Sequence, residues 1–217
     1  MSIAQNLKEI KQSLPDKVTL VAVSKTKPIT DLMIAYEAGQ RIFGENKIQE
    51  MTQKWETMPK DIEWHMIGHV QRNKVKYMAE YVSLVHGVDS LRLLREINKQ
   101  AKKHERVIDC LLQMHIAEED TKFGLDENEL QEIMASAELA ELENIRIIGL
   151  MGMATFTENT VQVKREFKAL KAYFEKTKDT FPHCDILSMG MSGDYQMAIV
   201  EGSTMVRIGS SIFGARN

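Results

Sequence analysis

A lysine stands at position 25, just beyond the apolar run VTLVAV at residues 18–23. An amine held at a crowded, poorly hydrated strand end loses hydration that favours its protonated form. A partly deprotonated amine is the nucleophile that condenses with a carbonyl carbon to give an imine. The same position also suits a rim lysine that lays its stem on apolar surface and keeps its ammonium in water. Lys27, beside Pro28, is expected on that solvated rim. Near the other end, Ser192-Gly193-Asp194 opens a short helical pattern, and Ile208-Gly209-Ser210-Ser211 forms a second small-residue turn. A helix start presents unpaired backbone N–H groups, a serine adds a hydroxyl, and both favour an anion. Either turn alone is ordinary loop geometry. The pair, facing a strand-end lysine, reads as a phosphate pocket.

Arg207 lies between Val206 and Ile208, where a guanidinium is expensive to bury unless its hydrogen bonds are accepted. The acceptor is either a carboxylate such as Glu201 or Asp185, or an uncharged ring nitrogen. Asn46, behind FGE, and His65, inside EWHMIG, are two further polar residues at strand ends. Metal chemistry has little to stand on. His65 and His69 are four apart, but that spacing pairs two ligands only on a helix. Here Gly68 breaks the run, and His86, His104, His115 and His183 form no ligand set.

These residues need elements to position them, and the chain supplies a regular alternation. After an N-terminal helix ending before Leu14-Pro15-Asp16, strands are expected at 18–23, 41–43, 62–67, 83–88, 107–116, 145–150, 186–188 and 205–208. Helices are expected between them at 30–38, 47–56, 72–80, 91–104, 127–137, 161–178 and 195–200. The strands are nearly unbroken apolar runs, as in parallel sheets covered on both faces, and parallel strands need crossover connections. An open doubly wound sheet could be written this way. Eight units in 217 residues favour closure into a single-domain α/β fold, a (β/α)8 TIM barrel with an extra N-terminal helix. Its active site then lies at the C-terminal strand ends, with phosphate favoured after strands seven and eight. That is where Lys25, Asn46, Ser192, Gly193, Gly209 and Ser210 fall.

Bulk properties remove other classes. Lys plus Arg number 28 against 31 Asp plus Glu, a net charge of −3, which is no electrostatic footprint for nucleic acid or an anionic membrane. The N-terminus MSIAQNLKEIKQSL has no apolar signal region, and no run approaches a bilayer span. Cys110 and Cys184 sit in apolar runs without metal or redox spacing. The expectation is a cytoplasmic chain with two reduced, buried thiols.

The segments Val21-Ala22-Val23-Ser24-Lys25-Thr26-Lys27-Pro28, Phe43-Gly44-Glu45-Asn46 and Trp64-His65-Met66-Ile67-Gly68-His69-Val70-Gln71-Arg72-Asn73-Lys74 carry a resemblance. Ser188-Met189-Gly190-Met191-Ser192-Gly193-Asp194 and Arg207-Ile208-Gly209-Ser210-Ser211-Ile212-Phe213-Gly214 complete it. Together they resemble the fold-type III barrels of the alanine racemase N-terminal domain, and more narrowly the YggS/PROSC family of pyridoxal phosphate homeostasis proteins. The resemblance implies pyridoxal 5′-phosphate as cofactor, held as a Schiff base on Lys25. Ser192, Gly193, Gly209 and Ser210 would hold its phosphate, Arg207 would face the pyridine nitrogen, and Asn46 and His65 would line the pocket wall. His65 is alternatively a residue that keeps the third loop in shape.

The function expected is cofactor binding and buffering, with acceptor enzymes as partners and no efficient catalysis. An arginine at the ring nitrogen leaves the cofactor a weak electron sink. The chain also ends ten residues after Arg207, whereas the related racemases continue into a second domain that supplies a tyrosine acid/base and a dimer interface. A monomer is expected on the same ground. The rivals are a small amino-acid racemase and a cofactor-free Schiff-base aldolase.

Overall fold

The computed structural model describes residues 2–119 and 123–215. Helix α1 (Ile3–Ser13) precedes β1 (Thr19–Val23), α2 (Ile29–Glu37), β2 (Ile42–Glu45), α3 (Ile48–Thr57) and β3 (Glu63–Met66). A 3₁₀ segment at Arg72–Tyr77 leads to β4 (Val82–Val88), α4 (Leu91–Lys103), β5 (Ile108–Met114) and α5 (Glu127–Ala135). A second 3₁₀ segment at Ala137–Glu141 precedes β6 (Ile145–Gly152) and α6 (Thr160–Thr177). The chain closes with β7 (Ile186–Ser188), α7 (Tyr195–Val200), β8 (Met205–Ile208) and α8 (Ser210–Phe213).

The eight strands pair in sequence order, all parallel, and β8 returns to β1, so the sheet is a closed barrel. Closure is carried by a register that sets Val21 opposite Arg207 and Ala22 opposite Ile208. Helices α4 and α6 bury one stripe each against the outside of the sheet. In α4 that stripe is Leu93, Leu94, Ile97 and Ala101, at helical spacing, and the Ser90 hydroxyl caps the helix by accepting from Leu93 N–H at 3.3 Å. In α6 it is Val163, Phe167, Leu170 and Phe174. Each such side chain contributes about 1.5–3 kcal/mol on leaving water, which makes this outer layer the bulk of the core.

The expected fold holds, with local corrections. The helix expected at 72–80 is only the 3₁₀ segment Arg72–Tyr77, which buries Val75 and ends at Met78 shortly before β4 begins. The helix expected at 127–137 stops at Ala135, and Ser136 turns the chain into a separate 3₁₀ segment. The last strand, expected to end without a helix, is followed by the four-residue α8. Strand β6 runs two residues past its expected end, through Met151 and Gly152.

Candidate functional site

The bore of the barrel is built in layers by strand alternation, since residues two apart on a strand face the same way. Val21, Leu84, Leu111, Met151 and Met205 form an apolar plug separate from the outer core. Two residues further along β4, β5 and β8 come His86, Gln113 and Arg207, and on β7 Ser188 follows Ile186 at the same step. All four are buried, at 0, 3, 4 and 0% exposure for His86, Gln113, Arg207 and Ser188. A polar layer therefore sits on an apolar one at the C-terminal end of the strands.

This polar layer is hydrogen-bonded throughout. Arg207 donates from Nη1 to Ser188 Oγ at 2.6 Å and from Nη2 to the Gly152 carbonyl at 3.0 Å. The same Ser188 oxygen lies 3.1 Å from His86 Nδ1, and His86 Nε2 lies 3.1 Å from His65 Nδ1. Burial pushes His65 down to about 3, and pushes His86 well below the usual histidine range, with His65 and Arg207 adding to the effect. Both imidazoles are thus neutral at pH 7. Burial also lowers Arg207, to about 10, against the opposing pull of Asp194, so the guanidinium keeps its charge.

Above this layer opens a cavity of about 960 Å³. Lys25 reaches it from the end of β1, Asn46 from β2, Ser192 and Gly193 from the turn after β7, and Gly209 and Ser210 from the turn after β8. Arg207 forms part of its floor. The two turns touch: Gly209 N–H donates to Ser192 Oγ at 3.3 Å. Asp194, the one carboxylate beside them among the described residues, accepts from Met191 N–H at 2.5 Å through Oδ1. Asn46 is held over Gly68, where a Cβ would come within 2.4 Å of the Asn46 carbonyl oxygen. The far wall carries His69, stacked on Phe123 at 4.1 Å between centroids and 3.2 Å from Asp89 through Nδ1.

The chain matches the alanine racemase N-terminal domain over residues 1–217. It belongs to that family. It is 38% identical to the pyridoxal phosphate homeostasis protein of Escherichia coli (strain K12) over 229 residues, covering 99% of this chain and 97% of that one. The protein of the same description from Pasteurella multocida (strain Pm70) is 37% identical, covering 100% of this chain and 99% of that one. Among solved structures, PipY of Synechococcus elongatus PCC7942 without PLP superposes with a TM-score of 0.92 at 32% identity, covering 98% of this chain and 100% of that chain. The same protein with PLP bound gives 0.89 with the same identity and coverage. Alanine racemase from Bartonella henselae, at 18% identity, TM-score 0.74 and 58% of its own chain covered, shares the fold alone.

Within this alanine racemase N-terminal barrel, seven of the residues singled out from sequence line one cavity: Lys25, Asn46, Ser192, Gly193, Arg207, Gly209 and Ser210. His65 departs from the expectation. It is 3% exposed, outside the cavity lining and turned to His86, while Ile67, two residues on along the same face, takes the wall position. The carboxylate partners considered for Arg207, Glu201 and Asp185, are not its hydrogen-bond acceptors; Ser188 and the Gly152 carbonyl are. Lys27 is no loose rim lysine either, since its Nζ donates to the Phe213 and Ala215 carbonyls at 3.0 Å each. Sequence reasoning missed His86, Ser188 and Gln113 as floor residues. Their signal was the two-residue step from Leu84, Ile186 and Leu111.

Proposed function

We propose that the chain binds pyridoxal 5′-phosphate reversibly and acts in pyridoxal phosphate homeostasis as a carrier, without efficient catalysis of its own. The observation that carries this reading is the convergence of an amine, two N–H-rich turns and a buried guanidinium on a single cavity. The residues fit the group. Ser210 and Ser211 open α8, so their backbone N–H groups have no acceptor inside the helix, and a Cβ built on Gly193 meets nothing within 4 Å. A phosphate has donors and room there. Beyond its two anchoring bonds, Arg207 has N–H groups with no acceptor among the described residues, and a pyridine nitrogen would supply one.

In this assignment Lys25 holds the aldehyde carbon, Ser192, Gly193, Gly209 and Ser210 hold the phosphate, and Arg207 faces the ring nitrogen. When bound, the cofactor supplies an electron-withdrawing ring. A donor that never gives up its proton leaves the ring nitrogen unprotonated, which weakens that withdrawal and disfavours carbanion chemistry. A racemase would also need a second acid/base facing Lys25. The titratable candidates among the described lining residues are His69, Lys27 and Asp194. His69 is stacked on Phe123, Lys27 is tied to two carbonyls, and Asp194 is engaged with Met191. Acceptor apoenzymes in the cytoplasm are the partners this role implies, and a monomeric single domain is the form in which it would act.

The test is the visible spectrum of purified protein with pyridoxal phosphate, wild type against Lys25→Ala, followed by borohydride and mass spectrometry of the Lys25 peptide. A cofactor mass on Lys25 is expected. Its absence would remove the carrier reading and favour a colourless Schiff-base aldolase. Robust amino-acid racemization lost in Lys25→Ala would replace the carrier with an enzyme.

A further inference from the structure

Behind the loop that carries Lys25 lies a buried charge cluster that no step above uses. Lys54, on α3, is 5% exposed, and its Nζ spends all three protons: to the Ser24 carbonyl at 2.9 Å, Glu45 Oε1 at 2.7 Å and Glu50 Oε1 at 2.7 Å. Glu45 Oε1 also accepts from Ser24 Oγ at 2.6 Å, and Glu50 Oε1 from Thr26 N–H at 2.6 Å. The Ser24 carbonyl belongs to the peptide group entering Lys25. The Thr26 N–H belongs to the peptide group leaving it. The two peptide groups that fix the direction of the Lys25 Cα–Cβ bond are therefore gripped by one ion triad.

From this geometry we infer that Lys54, with Glu45 and Glu50, positions Lys25, holding its backbone so that the amine is aimed at the cavity and not at solvent. The inference rests on the reading of Lys25 as the tether for the cofactor aldehyde. Two observations favour positioning over plain stabilisation. Thr26 has a φ of 63°, a left-handed conformation that a β-branched residue adopts only where its surroundings enforce it. The Glu50 bond to its N–H holds it there together with the turn that Lys27 N–H closes on the Ser24 carbonyl at 3.1 Å. Second, three charges packed together are a weak source of stability compared with apolar side chains of similar volume. Here one carboxylate oxygen, Glu45 Oε2, is buried with no hydrogen-bond partner among the described residues. What the triad supplies is direction. Its members come from the end of β2 and from α3, so Lys25 is aligned by elements of the next β/α unit and not only by its own strand.

The experiment separates attachment from binding. Purified protein is mixed with pyridoxal phosphate, the covalent fraction is trapped with borohydride at timed intervals, and affinity is measured separately with pyridoxine 5′-phosphate. That analogue carries an alcohol in place of the aldehyde, so it reports the phosphate and ring contacts without Lys25. Glu50→Ala should slow covalent capture about tenfold or more, as misplacement of a reacting group does. Its affinity for pyridoxine 5′-phosphate should stay within about twofold. Glu50→Gln, which keeps an oxygen for Thr26 N–H, should restore most of the capture rate, and Lys54→Met should lose more than Glu50→Ala. Capture by Glu50→Ala at the wild-type rate overturns the inference. So does a fall of capture and affinity in parallel with the melting temperature, which marks a merely structural cluster. Failure of the wild type to be trapped at all would instead overturn the assignment of Lys25.

Discussion

Arg207 on β8 hands a hydrogen bond to Ser188 on the adjacent β7, Nη1 to Oγ at 2.6 Å, and the same hydroxyl oxygen lies 3.1 Å from His86 Nδ1. One serine thus joins a buried cation to a neutral imidazole. The barrel floor depends on that junction, because both neighbours are buried, at 4 and 0% exposure for Arg207 and His86.

Ser188→Ala removes the acceptor of one guanidinium N–H and the partner of one imidazole nitrogen at once. A buried polar group left unsatisfied costs about 1–3 kcal/mol, so Ser188→Ala should lower the unfolding free energy by about that amount. Urea denaturation at constant m-value measures it. A loss under about 0.5 kcal/mol, the size of an ordinary surface change, would mean that the floor repacks freely.

Two glycines, one in the site and one inside β6, carry opposite expectations. At Gly193 a Cβ meets nothing within 4 Å, and the residue is not in the left-handed region, so the fold should accept a larger side chain. Gly193→Val should leave the melting temperature almost unchanged, yet fill the space from which N–H groups would approach the phosphate. Its affinity for pyridoxal phosphate should fall about tenfold, or about 1.4 kcal/mol. At Gly149 a Cβ would lie 1.8 Å from the Ile186 carbonyl oxygen, so Gly149→Ala should damage the β6–β7 pairing and the fold itself. Thermal melts and equilibrium titration together check both. Unchanged affinity in Gly193→Val would move the phosphate elsewhere.

The contrast between these positions shows what the sequence could convey. Lys25, Asn46, Arg207 and the two small-residue turns were legible because each directly follows or ends an apolar strand run, and a barrel gathers strand ends in one place. The floor was less legible. His65 and His86, 21 residues apart, meet across the paired strands β3 and β4, and His86 and Ser188, 102 apart, meet only because the sheet closes into a barrel. The expectation that His65 would stand on the wall failed by one step of strand alternation, with Ile67 in its place. The Lys54 triad was hidden for a different reason. In sequence Glu50 and Lys54 form an ordinary i,i+4 helix pair, normally a solvated one, and nothing local says that the pair faces β2 and the Lys25 loop.

The buried histidine pair gives the fold a signature in acid. Above about pH 7.5 both imidazoles are neutral in the folded and the unfolded chain, and they add almost no pH dependence. As pH falls below that value, the unfolded chain takes up protons that folded His65 refuses until about pH 3, and that folded His86 also resists. The unfolded state then binds more protons, so stability falls as the pH drops. One unit below the unfolded pKa the loss is about 1.4 kcal/mol for each histidine. Denaturation midpoints taken between about pH 7 and pH 5.5, before most carboxylates titrate, measure this slope. His65→Asn keeps a polar atom near the Nδ1 position and removes one titration, so its slope should be about half that of wild type. A wild-type midpoint that stays level across this window would mean that the two imidazoles take up protons in the folded barrel, and that the floor is wet.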